Sequence, residues 1–172
     1  MNVYTELLKG LGNLGAEHRR EIYDDLRAAL NLDKDEPMMP LPASELAVWS
    51  RRCAEILAEV LARRQGTRVV ADVAMLEARY LEYGKPPSDA FLDSQLALGA
   101  AVRSAGLSGL YIHAVLNPVA LVSARRAARE VLPPALAALV EDRYPAVMML
   151  RHALCQEGAL GTAAMERDPH RG

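Results

Sequence analysis

Aromatic residues are scarce in this chain, with one Trp, one Phe and six Tyr among 172 residues. The core must therefore be assembled from Leu, Val, Ala, Ile and Met, and a haem pocket, which recruits several aromatic rings, has little to draw on. Lysine is nearly missing as well. Lys9, Lys34 and Lys85 stand alone, and arginine carries the remaining basic charge. Together with heavy alanine use, this reflects genome composition rather than a binding surface. With a net charge of -2, bulk electrostatics advertise no surface of the nucleic-acid or anionic-membrane type. Cys53 and Cys155 are too few for a disulfide scaffold and form no CxxC pair, so free buried thiols in a reducing compartment are expected. The longest apolar stretch, residues 107–124, is interrupted by His113, Asn117 and Pro118 and falls short of a membrane span. The opening MNVYTELLKG carries an acidic residue and too short an apolar run for a signal peptide. A soluble, cytoplasmic protein without membrane association is expected.

What is present is helical periodicity. A hydrophobic content of 51% with 24% charged residues belongs to a globular chain, and its length suits one domain. Residues 2–11 place Val3, Tyr4, Leu7, Leu8 and Leu11 on one stripe, broken by Gly12 and Gly15. Residues 16–32 turn Ile22, Tyr23, Leu26 and Leu30 inward and Glu17, Arg19, Arg20, Asp24, Asp25 and Arg27 outward. Pro37, Pro40 and Pro42 then exclude a regular helix, which reads as a hinge loop carrying an exposed Met38-Met39 pair. From Ser44, a good N-cap, to about Arg64, the spacing of Leu46, Trp49, Cys53, Ile56 and Val60 is that of a core bundle helix. Thr67 caps the next, with Val69, Val73, Leu76, Tyr80 and Tyr83 inward, stopped by Gly84 and Pro86-Pro87.

Ser88 opens a further helix to about Ala105, with Asp89 at its positive end and a slim face at Ala97, Gly99, Ala100, Ala101, Ser104 and Ala105. Residues 110–116 and 119–132 form one helix bent at Pro118, or two. The last helix runs from Ala135 to Glu157, with a possible break at Tyr144-Pro145, and a tail follows Gly158. These elements predict an all-α fold, a single bundle of six to eight helices. Its expected organisation is an N-terminal helical arm (1–32), a Pro-rich loop (33–42), the main bundle (43–157) and a flexible tail (158–172).

Motifs that carry chemistry are missing. His18, His113, His152 and His170 are far apart, and neither HExxH nor a Glu-x-x-His pair occurs, so no metal site is expected. No G-x-S-x-G appears, and LKGLGNLG matches neither phosphate-loop pattern. The pairs Glu55/Glu59 and Asp89/Asp93 are i, i+4 like charges that belong on a solvated face. The arginines Arg125, Arg126 and Arg129, and Arg63, Arg64 and Arg68, lack interleaved aromatics, and nearby acids balance them. Nucleic acid is therefore not an expected partner.

Two stretches carry a resemblance. LLKGLGNLGAEHRREIYDDL resembles the opening of a sigma-factor region that binds promoter DNA, but a proline-rich loop stands where the helix-turn-helix should follow, which excludes that family. YLEYGKPPSDAFLDSQLALGAAV, with Trp49, resembles the helical N-terminal sensor domains of bacterial stress and transcription regulators, where a helix ending in Gly precedes one starting with Asp. That likeness covers less than half the chain and carries no diagnostic residue, so no family is assigned.

The preferred reading is a non-enzymatic interaction module, regulatory or adaptor-like, acting through protein contacts. The slim face and the arm favour a homodimer or a hetero-complex. The alternative is a sensor binding a small apolar ligand or haem near His113, Tyr111 and Trp49, because His113 sits in the apolar LYIHAVLNP just before a proline. A third reading is an enzyme with dispersed site residues. No cofactor and no catalytic residue are nominated.

Overall fold

The computed structural model describes residues 16–65, 72–104 and 117–167. Among them lie six α-helices and one short 3-10 turn: α1 (Ala16–Ala29), α2 (Ala43–Gln65), α3 (Val73–Leu81), the turn Glu82–Gly84, α4 (Asp89–Ser104), α5 (Asn117–Val131) and α6 (Pro134–Arg167). The protein is an all-α bundle, as the periodicity implies. Residues 2–11, Thr67, Val69 and residues 110–116 lie outside the described residues.

Helix α1 ends because Asn31 adopts a left-handed conformation, φ 54°, which an asparagine tolerates better than most side chains. Asn31 N–H then donates to Ala28 O at 3.2 Å and Leu32 N–H to Arg27 O at 2.9 Å. These two bonds satisfy carbonyls that a helix end would otherwise leave open, and buried Leu32 seals the turn. Tyr23 and Leu26 face the core as expected. Arg27 does not face solvent. It is 4% exposed and donates to Pro87 O (2.9 Å), Asp89 Oδ1 (3.0 Å) and Asp24 Oδ1 (2.6 Å). The i, i+4 pair Asp89/Asp93 accordingly anchors α1, since Tyr23 Oη donates to Asp93 Oδ1 at 2.7 Å.

The proline-rich loop is tied to the neighbouring turn and to α6 by hydrogen bonds. Met38 N–H donates to Lys85 O (3.0 Å) and Met39 N–H to Tyr83 O (2.7 Å), while Arg143 Nε donates to Met38 O (3.2 Å). Both methionines are fully buried, so the loop that carries them is not exposed there and the pair fills core, the commoner use of methionine. The prolines keep the segment extended, so its free N–H groups bond to the neighbouring turn, and the flexible thioethers fill the space beneath.

The seam of α2 is as its spacing implies, with Trp49, Cys53 and Ile56 buried and Leu46 and Val60 packed against the core. Ser44 lies inside the first turn, its hydroxyl against Glu45, rather than capping. Asp72 caps α3 by accepting from Ala74 N–H at 2.9 Å, and Ser88 caps α4 by accepting from Phe91 N–H at 3.2 Å. Helix α5 buries Ala120, Ala124, Ala127 and Ala128, a small-residue face on which larger side chains seat.

Helix α6 runs unbroken through Pro145 to Arg167, ten residues past the end expected at Glu157. An interior proline costs about 3 kcal/mol. Burial of Tyr144, Val147, Leu150 and Leu154 on the flanking turns offsets that cost. Gly158 is no helix stop. Together with Gly99 it lets α6 and α4 approach backbone to backbone. At Gly99, the slim face of α4 is thus used within the chain.

Candidate functional site

At the centre, four buried rings close on themselves: Trp49–Tyr80 (5.6 Å between centroids), Tyr80–Tyr83 (5.9 Å), Tyr83–Tyr144 (5.8 Å) and Tyr144–Trp49 (5.9 Å). Each pair is edge-on, at 78 to 83° between ring planes. Such contacts contribute roughly 0.5–1.5 kcal/mol apiece beyond burial, so scarce aromatics are concentrated where they count most. Trp49 is a core residue. It is fully buried and its Nε1 donates to Ala124 O at 3.1 Å, joining α2 to α5. Tyr111 and His113 lie outside the described residues.

The hydroxyls of Tyr80 and Tyr144 are buried near each other without hydrogen-bond geometry. Burial pushes both phenols well up. Tyr83 differs, because its hydroxyl accepts from Arg151 Nη1 at 2.8 Å. The ring cluster thereby holds a guanidinium at its edge. That edge is the floor of a cleft of about 220 Å³ lined by Arg79, Glu82, Tyr83, Phe91, Ser94, Gln95, Leu98 and Arg151.

Helical geometry explains the convergence. Arg79 and Tyr83 are four residues apart on α3 and its continuing turn, while Phe91, Ser94, Gln95 and Leu98 recur at helical spacing along one face of α4. Arg151 comes from α6, which packs closely on α4. Within the cleft Ser94 Oγ donates to Phe91 O at 2.6 Å and Gln95 Nε2 to Ser94 Oγ at 3.2 Å. Behind them the Cys155 thiol lies 3.9 Å from Gln95 Oε1.

The electrostatics are unusual for this protein. Arg51, Arg52, Arg63, Arg126 and Arg129 each sit on a glutamate, which makes them ordinary surface pairs. Burial and the neighbouring Arg151 charge push the Arg79 guanidinium down, against a weaker pull from Cys155, Glu82 and Tyr83. Burial also pushes the Cys155 thiol up, against the pull of the two arginines, so the sulfur stays protonated at neutral pH. Two cations face one cleft, and Glu82 is the one acid in its lining. This arrangement accepts an anionic group.

Among the described residues, no three His, Cys, Asp or Glu side chains gather to hold a metal ion, and no helix is long and apolar enough to cross a membrane. A second cleft of about 380 Å³ lies between Arg27, Asn31, Leu32, Asp33, Glu36 and Arg143, but Arg27 and Arg143 are already bonded there.

The sequence reading did not single out Arg79, Arg151 or Gln95. A signal existed for Arg151. Its neighbours at i±3 and i±4 are Val147, Met148, Leu154 and Cys155, which places an arginine on the apolar face of a core helix. No family model, curated protein or solved structure matches this chain, so the cleft is interpreted from its own geometry.

Proposed function

We propose that the protein is a non-enzymatic helical binding module, regulatory or adaptor-like, that takes up an anionic group in the Arg79–Arg151 cleft. The observation that carries this reading is Arg79 beside half-buried Arg151 in one cleft whose lining offers a single carboxylate, that of Glu82. Holding two like charges in a partly dry cleft is unfavourable, and an incoming anion relieves both the repulsion and the unmet donors. The same cleft supports binding better than catalysis. The Cys155 thiol behind it is held protonated, and Ser94 donates to a backbone carbonyl. The module acts through protein contacts, with self-association as a homodimer the simplest form.

Native mass spectrometry of the purified chain, with and without added small anions, tests this reading. A dimer that gains the mass of one anion per subunit supports it. A monomer would remove the self-association, and a chain that gains no anion mass would remove the cleft's role.

A further inference from the structure

The cleft carries more information than its positive charge. Two guanidiniums and the single carboxylate of Glu82 line it, so the local balance is one positive charge. A monoanion neutralises that balance. A dianion such as phosphate leaves a surplus negative charge next to Glu82, where like charges repel. The rest of the lining is mixed: Ser94 and Gln95 supply polar groups, while Phe91, the only phenylalanine of the chain, and Leu98 form one apolar side. On the floor, the Tyr83 hydroxyl accepts from Arg151 Nη1, which anchors one end of the guanidinium. The planar fork of an arginine matches the two oxygens of a carboxylate. The volume, about 220 Å³, equals roughly seven waters of liquid, which admits a compact molecule and not a nucleotide.

We infer that the cleft binds a small monocarboxylic acid with an apolar body, its carboxylate between Arg79 and Arg151 and its body against Phe91 and Leu98. This rests on the anion-binding reading above and narrows it to one ligand class. Arg151 is the oriented partner, bonded to Tyr83, and Arg79 the responsive one, with no hydrogen bond to a described residue.

The test uses the full chain with benzoate, benzamide and inorganic phosphate as probes, read by titration calorimetry and thermal unfolding. Benzoate is expected to bind saturably and raise the unfolding midpoint, while benzamide, of the same shape without the charge, does not. Arg79→Gln is expected to weaken benzoate by about tenfold or more, the worth of one charge-assisted hydrogen bond. Without ligand the same variant is expected to be as stable as the parent or more so, since it removes a repulsion and breaks no hydrogen bond with a described residue. Arg63→Gln, at an exposed pair with Glu59 that does not line the cleft, serves as the folded control and keeps full benzoate affinity.

Preference for phosphate over benzoate would overturn the monocarboxylate and leave the anion-binding reading standing. Equal binding of benzoate and benzamide, or no binding of any probe, would overturn both. Parent-like benzoate affinity in Arg79→Gln would place the acid elsewhere and also overturn the proposal.

Discussion

Gly99 of α4 and Gly158 of α6 are reciprocal halves of one backbone contact: a Cβ on Gly99 would collide with the carbonyl of Cys155, and one on Gly158 with the carbonyl of Leu96. Because the obstacles are main-chain atoms on a second helix, neither can swing aside. The contact brings α4 against α6 and so sets the width of the cleft between Phe91, Gln95 and Arg151.

Gly99→Ala is therefore expected to destabilise the fold, although alanine gains up to about 1 kcal/mol over glycine inside a free helix. Overpacking against backbone outweighs that gain, for a net loss of about 1–3 kcal/mol. Urea unfolding of the parent and variant gives the sign directly. A more stable variant would mean the helices are not in backbone contact.

Arg27 is buried where a surface charge was expected, and its partners come from α4 and the Pro86-Pro87 turn. Arg27→Met is expected to cost about 1.5–3 kcal/mol, the range for hydrogen bonds to a charged group. Arg63→Met, which breaks only an exposed pair with Glu59, is expected to leave the unfolding midpoint unchanged. Thermal unfolding of the two variants side by side makes the comparison.

Asn31 is held at positive φ between two helix-closing hydrogen bonds. Asn31→Ala is expected to lose about 1 kcal/mol, because a Cβ without a compensating polar group disfavours that conformation. Asn31→Gly is expected to be neutral or slightly stabilising. Equal stability of the alanine and glycine variants would contradict the left-handed closure.

Alkaline pH tests the buried acids. Burial raises the folded-state pKa of Cys53, Cys155, Tyr80 and Tyr144 above the ordinary values of 9.0 for the thiol and 10.0 for the phenol. Each neutral group therefore contributes stability that is fully present below its unfolded pKa. That contribution is lost as pH rises above it toward the folded value. Stability is expected to decline from about pH 9 upward, and Tyr144→Phe is expected to flatten the decline. At pH 7 that variant is expected to be no less stable, because the hydroxyl it removes is buried without a partner. Urea midpoints at pH 7 and 10.5 supply the measurement.

Periodicity alone determined the helical class and the seam of α2, because the apolar spacing at Leu46, Trp49, Cys53, Ile56 and Val60 admits one buried face and no other. It likewise marked the inner residues Tyr23, Leu26, Tyr80 and Tyr83, and Gly84 with Pro86-Pro87 as a stop. Glycine and proline were legible as breakers only where nothing packed against them. Pro145 and Gly158 read as breaks in isolation, yet both lie inside α6, since the packing that holds the helix comes from α4 and from distant core residues. Arg27 and Met38-Met39 look like surface residues in the chain and become interior ones through partners 60, 47 and 44 positions away, at Pro87, Lys85 and Tyr83. The cleft belongs wholly to the tertiary structure. Arg79, Gln95 and Arg151 sit on three helices, and what makes them a site is that folding leaves two guanidiniums sharing one opening, a condition no local spacing expresses.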